Sequence, residues 1–357
     1  MSAGTPPVVL AGDIGGTHTR LALYACAGGS GAGLASAPDA LGAAGPAPLS
    51  RVDLDSVGLA AHHGLEDVVI DFLGHSGHGV PVAIVLACAG PVRDGESRIT
   101  NLPWTISEAS LRARTGAPRV RLVNDFEAMA HGTETLAASE LEVLQQGERS
   151  PTGARLVLGA GTGLGQAWVV PPLGSEAPPQ PPRVFASEGG HQSFAPRDAF
   201  EDGLLVWLRA RHGRVSVERV VSGLGLVELY HYVAETGAAS TSDAMRDAVA
   251  QQGAQVIGLY GQGPNGDPAC TLAVQRFVSL YGAHAGDAAL GLLPAGGVVI
   301  TGGMAAGLLP VLRHAFMPAF LDKGRLRAVL EPLHVAVALP ADTGMRGAAR
   351  LAQALAG

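Results

Sequence analysis

Short apolar runs alternate along the chain with longer stretches of helical spacing. Val8 to Ala11 is one such run, ending in Gly12-Asp13, and Leu21 to Ala25 is a second. Between them lies GDIGGTHTR, so the pair predicts a β-hairpin with a wide, glycine-rich turn. The same pattern returns in Arg155–Gly159 and Gln166–Val170, this time around GAGTGLG. Val80 to Ala89 reads as a strand interrupted by Pro81. Val120 to Val123 reads as a strand that ends in Asn124-Asp125, and Phe126 to His131 as the first turns of a helix. From about 200 to 290 the apolar spacing is helical. Val298 to Ile300 then runs into Thr301-Gly302-Gly303-Met304, Val335 to Leu339 is the last strand, and Thr343 to Leu355 the last helix. Alternating strands and helices predict an α/β fold. The two glycine-rich hairpins form a weak internal echo, and two such hairpins facing each other would suit one phosphate chain.

Composition narrows the picture. At 357 residues the chain has room for two lobes, and 47% hydrophobic against 15% charged residues gives ample material for a core. A net charge of -7 with no basic run makes it a poor polyanion binder, so nucleic acid and anionic membrane surfaces are not expected partners. Cys26, Cys88 and Cys270 are scattered and form no C-x-x-C, which argues against a disulfide framework and a cysteine zinc site. Neither a signal peptide nor a membrane-spanning run is evident, so a cytoplasmic protein is expected. Residues 26–50 and the segment 171–182, with six prolines, read as surface loops.

The chemistry concentrates in the turns. In Gly12-Asp13-Ile14-Gly15-Gly16-Thr17 the glycines would let the backbone approach phosphate oxygens and aim N–H groups at them. Asp13 would hold Mg²⁺ through water, and Thr17 would donate its hydroxyl to a phosphate. An ordinary hairpin turn explains the hexapeptide equally well. Glycines at 159, 161, 163 and 165 are more than a plain hairpin needs, which favours phosphate contact by Gly161, Thr162 and Gly163. Gly302-Gly303, between a strand and a helix, suits close approach of a nucleoside. There is no G-x-x-x-x-G-K-[ST] and no G-x-S-x-G, and the glycines of residues 161–165 lack the third spacing of the dinucleotide-binding G-x-G-x-x-G.

Asn124-Asp125 closes a strand ahead of a helix. An Asp there is placed to take the proton of an attacking hydroxyl, but the dipeptide by itself fits a helix N-cap better. Glu188 and His191, in SEGGH, supply an acceptor and a donor for adjacent sugar hydroxyls from what reads as a loop. A solvated loop or a metal site are the other readings, the latter disfavoured without nearby cysteines. Glu218, taken alone, is an unremarkable glutamate at a helix start.

Together these pieces resemble bacterial-type glucokinases of the hexokinase and actin-like ATPase group. The resemblance is carried by GDIGGTHTRLAL, ACAGPV, ITNLPWTIS, VRLVNDFEAMAHG, LGAGTGLGQA, SEGGHQSFAP, VSVERVVSGLGLVELY, GVVITGGMAAGLLP and DTGMRGAARL, in family order along nearly the whole chain. It implies an α/β fold of the two-lobed actin-like ATPase (ribonuclease H-like) type with a central cleft. The small lobe would take 1–134 plus 342–357 and the large lobe 135–341. It implies ATP-dependent, Mg²⁺-dependent phosphorylation of D-glucose at the 6-hydroxyl, with Asp125 as general base. Asn124, Asp125, Glu188, His191 and Glu218 would hold the sugar. Gly12 to Thr17, Gly161 to Gly163 and Gly302-Gly303 would hold the nucleotide. It also implies a homodimer. His18 and Thr19 depart from the family's common Asn and Ala. The C-x-C-G-x-x-G-C zinc motif of a related group of sugar kinases and repressors is missing. A kinase for mannose or an N-acetylated hexose, a silent sugar sensor and an assembly ATPase are the rival readings.

Overall fold

The computed structural model describes residues 6–15, 18–26, 47–99, 104–172 and 182–357. The described residues within 1–140, 172–186 and 340–357 make one compact unit, and those within 141–171 and 187–339 a second. No helix among them is long and apolar enough to cross a membrane.

The first unit is built on strands β1 (Val8–Ile14), β2 (His18–Ala25), β3 (Ser50–Asp55), β4 (Ala83–Cys88) and, past a small sheet of β5 (Val92–Arg93), β6 (Glu96–Arg98) and β7 (Thr105–Ser107), β8 (Val120–Asn124). The main sheet runs β3-β2-β1-β4-β8. β1 and β2 are antiparallel, whereas β4 lies parallel to β1 and β8 parallel to β4. All six residues of β4 are buried, as expected for a continuous apolar strand covered on both faces. One face packs on Val68, Val69 and Phe72 of the helix Leu65–Ser76. The other is rich in alanine and packs on Met345, Ala348 and Leu351 of the C-terminal helix Thr343–Ala356. Small side chains on that face bring this helix close to the strands.

The wide turn expected between β1 and β2 is shorter than the sequence suggests. Gly12, Asp13 and Ile14 lie inside β1, opposite Leu21, Arg20 and Thr19. An added Cβ on Gly12 would come within 2.6 Å of Leu86 and 2.8 Å of Leu21. Packing inside the sheet therefore explains this glycine. The strand expected over Val80–Ala89 narrows to β4, beyond Pro81, which has no N–H for a ladder.

The second unit contains β9 (Leu141–Gln145), β10 (Arg155–Ala160), β11 (Leu164–Val170), β12 (Arg183–Ser187), β13 (Val298–Thr301) and β14 (Val335–Ala338) in the order β12-β11-β10-β13-β14-β9. The boundary between the units falls inside the edge strand β12, after Ala186. β10 and β11 are antiparallel, with β13 parallel to β10 and β14 parallel to β13. This repeats the plan of the first sheet, an antiparallel hairpin followed by two parallel neighbours, and gives the echo seen in the sequence a structural form. The helical stretch resolves into Ala199–His212, Gly223–Thr236, Asp243–Gln252, Ala254–Tyr260 and Pro268–Leu292. The last of these carries Phe277 and Tyr281 into a core shared with Phe316 and Phe320.

Candidate active site

In the first unit the candidate residues sit at the carboxyl ends of neighbouring strands. Asp13 is the penultimate residue of β1. Its Oδ2 lies 3.7 Å from Arg20 Nη1, and Arg20 Nε lies 3.8 Å from Asp53 Oδ1. Burial pushes the Asp13 carboxyl above the usual carboxylate range, Arg20 partly offsets this, and Asp53 adds to the rise. The side chain still keeps 36% exposure, so water damps the effect. A carboxylate held against its burial gains from a cation, which fits a Mg²⁺ site of one carboxylate, waters and substrate phosphates. No three His, Cys, Asp or Glu side chains gather as a metal centre among the described residues, and such a site does not need them. Ile14 is buried, and its carbonyl accepts from the Ala89 N–H at 3.0 Å. The Gly15 N–H donates to the His18 carbonyl at 2.9 Å, closing the turn. Gly16 and Thr17 lie outside the described residues.

Two strands away, Asn124 ends β8 and caps the helix Asp125–Thr133. Its Oδ1 accepts from the Phe126 N–H at 2.9 Å and the Glu127 N–H at 3.3 Å, while Nδ2 donates to the Gly90 carbonyl at 3.1 Å. Asn124 is thus the N-cap its residue type favours. It ties the helix start to the chain leaving β4, and so fixes Asp125 at the first helical position. Asp125 is half-buried, and its Oδ1 accepts from the Phe126 N–H at 2.9 Å. Between Asp13 and Asp125 lies Cys88, at the end of β4. Burial pushes its thiol up to about 12, and both carboxylates add to the rise while Ser97 opposes it. The register sets Asp13 opposite Ala87 and Asn124 opposite Cys88, so both acids border the same strand end.

The helix that starts at Asp125 is seated by the C-terminal helix. A Cβ on Gly347 would run into the Ala128 carbonyl, and one on Gly132 into the Thr343 carbonyl. Glycine at both positions lets the two backbones touch.

In the second unit three segments converge. At the end of β10 the Ala160 N–H donates to the buried Tyr281 hydroxyl at 3.1 Å. Gly161 follows; its N–H donates to the Gly163 carbonyl, and its carbonyl accepts from the Gly223 N–H, both at 2.8 Å. Gly161 and Thr162 are exposed. Gly302 has φ +91°, and a Cβ there would lie 2.6 Å from the Ala160 carbonyl oxygen. Gly303 opens the short helix Gly303–Gly307. Ala160–Gly163, Gly223 and Gly302-Gly303 therefore form one glycine-lined surface.

Beside it stand Glu188, His191 and Glu218. SEGGH is a 3₁₀ turn, Gly189–His191, where the sequence suggested an irregular loop. Its glycines pack tightly, Gly189 against the Gln166 side chain and Gly190 against the Leu164 carbonyl. Glu188 and His191 stay exposed. Glu218 lies in a second 3₁₀ turn, Val217–Arg219. Its Oε1 is 3.9 Å from His191 Nε2, and its Oε2 accepts from the Leu164 N–H at 2.9 Å.

Sequence reasoning overlooked Arg20, Gly223, Gln166 and Tyr281. Gly223 stood within a quoted motif, SGLG, and its value lies in an N–H that the sequence leaves unaimed. Tyr281 looks like any core aromatic at helical spacing, and only its hydroxyl sets it apart.

The sequence profile of the family described as Glucokinase matches residues 10–355. A glucokinase of Synechocystis sp. is 37% identical over 95% of this chain and 96% of its own length. The crystal structure of a glucokinase from an Antarctic psychrotroph superposes with a TM-score of 0.75 at 27% identity, covering 98% of this chain and 99% of that one. A ROK family glucokinase from Streptomyces griseus, solved with glucose and AMPPNP, shares the fold with a TM-score of 0.62 at 22% identity, covering 97% and 98%.

Proposed function

Because the chain belongs to the glucokinase family, we propose that it transfers the γ-phosphoryl group of ATP to the 6-hydroxyl of D-glucose, with Asp125 as general base. The observation that carries this reading is the half-buried Asp125, fixed by the Asn124 cap at the carboxyl end of a parallel strand, where ligands of α/β sheets bind. Its carboxylate accepts the proton of the sugar hydroxyl as that hydroxyl attacks in line. Asn124, Glu188, His191 and Glu218 hold the remaining hydroxyls and fix the angle of attack. The glycine-lined surface of Gly161, Thr162, Gly163, Gly302 and Gly303 takes the nucleotide, together with residues from Gly12 to Thr17. Mg²⁺ on the Asp13 side neutralises the phosphate charge when bound.

A coupled assay with Mg-ATP and glucose, mannose, fructose, N-acetylglucosamine and glycerol tests the proposal. Glucose is expected to be clearly preferred. Asp125→Asn should lower turnover by about 10²–10⁴-fold while leaving glucose affinity within a few fold. Retained turnover in Asp125→Asn removes Asp125 from its role, and a preference for another sugar overturns the substrate.

A further inference from the structure

Glu218 has two faces. Oε1 looks toward His191 at 3.9 Å, on the side of the proposed sugar site. Oε2 accepts the Leu164 N–H at 2.9 Å, where the glycine loop rejoins β11. A Cβ on Gly163, immediately before, would lie 2.7 Å from Oε2, so any side chain there would push the carboxylate aside. Leu164 is gripped from its other pole as well, since its carbonyl backs onto Gly190 of the Glu188–His191 turn. The far end of the loop is fixed by the Gly223 N–H on the Gly161 carbonyl. The loop backbone is thus held at two points, by the Gly223 N–H and by the Glu218 side chain that faces the proposed sugar residues.

We propose that Glu218 is a positioning residue for the nucleotide: it fixes the shape of the 161–165 loop through the Leu164 N–H, and Gly163 is a glycine so that this carboxylate can lie against the loop. The assignment of the sugar and nucleotide sides rests on the function proposed above. Two crossed consequences follow. Removing a group on the sugar side weakens nucleotide binding with no sugar present, and adding one methyl on the nucleotide side weakens sugar binding with no nucleotide present. A hydrogen bond to a charged acceptor is among the stronger kinds, so Glu218→Ala is expected to raise the AMPPNP Kd, measured without sugar, by about tenfold. Glu218→Gln keeps an acceptor oxygen for the Leu164 N–H and should recover most of that affinity. Gly163→Ala displaces the carboxylate and should raise the glucose Kd, measured without nucleotide, by about tenfold as well.

Calorimetric titration of each ligand alone into the wild type and the three variants, each checked for a native melting transition, decides the matter. The crossed losses, with recovery in Glu218→Gln, are the expected result. The proposal is overturned if sugar-free AMPPNP affinity in Glu218→Ala stays within twofold of wild type, or if nucleotide-free glucose affinity in Gly163→Ala does. Wild-type protein that binds neither AMPPNP nor glucose would instead sink the functional reading itself.

Discussion

At the end of β1 the chain places Asp13, a carboxylate facing Arg20 and pushed up by burial. At the end of β10, the matching strand of the second sheet, it places Ala160, whose N–H is held by Tyr281 and whose carbonyl lies against Gly302. The hairpin plan is the same and the chemistry of its ends is opposite. The first unit offers charges carried on side chains, Asp13 and Asp125, mounted on a frame that does not depend on them. The second offers the backbone N–H and carbonyl groups of its glycine surface, with the Glu188, His191 and Glu218 side chains beside it, and there the proposed nucleotide contact rests on shape. Changing a charge should alter chemistry and spare the fold, whereas adding one methyl to the glycine surface should damage both.

Gly302→Ala should have the largest effect of the substitutions that probe this contrast. Its φ of +91° is strained for any L side chain, and its Cβ would meet a carbonyl fixed within β10. Strain of about 1–3 kcal/mol is expected, enough to raise the KM for Mg-ATP by up to on the order of a hundredfold and to lower Tm by several degrees. Unchanged KM and Tm would show that the second site is as forgiving as the first. Asp13→Asn should do less to the enzyme and nothing adverse to the fold. A carboxyl whose folded pKa lies above its unfolded value costs stability when ionised, and that cost disappears as pH falls below the unfolded pKa. The amide removes it at neutral pH, so Tm should hold or rise while turnover falls roughly tenfold through weaker Mg²⁺ use. A marked drop in Tm with full turnover would reverse the comparison.

The difference between the two regions also decides what the sequence revealed. The strand ends, the hairpin echo and the alternation of strands and helices were legible because apolar runs and glycine clusters are local signals. The short edge strands β3, β9 and β12 were not, since SRVDLD, LEVLQ and RVFAS bury no residue, and the alternation in SRVDLD rests on only two apolar side chains. Asn124-Asp125 was legible as a cap, and its hydrogen bonds are those of a cap. The glycines misled in one respect. Gly12 reads as part of a phosphate loop, yet it is small because Leu86 and Leu21 occupy the space, and Gly347, inside a segment read as helix, is small because the Ala128 carbonyl does. Such reasons lie in tertiary contacts, which spacing along the chain does not encode. The same holds for Glu218, ordinary in sequence and distinguished by the N–H its carboxylate meets.

The smallest effect on catalysis, and the most direct way to weigh the units against each other, comes from one buried histidine in each. His131 sits in the helix behind Asp125, and burial with Arg350 and Arg121 nearby pushes it down to about 4, against an upward pull from Glu134. His284 lies in the helix Pro268–Leu292. Burial lowers it to about 4 as well, Lys323 assisting and Asp287 opposing. Its Nε2 is buried without a hydrogen-bond partner among the described residues. Both imidazoles are neutral when folded and take up a proton near pH 6.5 when unfolded, so acid favours the unfolded chain. Each should remove about 1.4 kcal/mol of stability per pH unit as pH falls from about 6.5 toward 4. His284→Leu abolishes that uptake in the second unit. Its stability should therefore fall by about 2 kcal/mol less than wild type between pH 7 and pH 5, with glucose phosphorylation at neutral pH unchanged. Urea unfolding of wild type, His284→Leu and His131→Leu at both pH values measures this. If the units unfold in separate steps, each variant flattens the acid dependence of its own step alone. Identical acid slopes in wild type and His284→Leu would mean that the imidazole is hydrated and titrates normally in the folded protein.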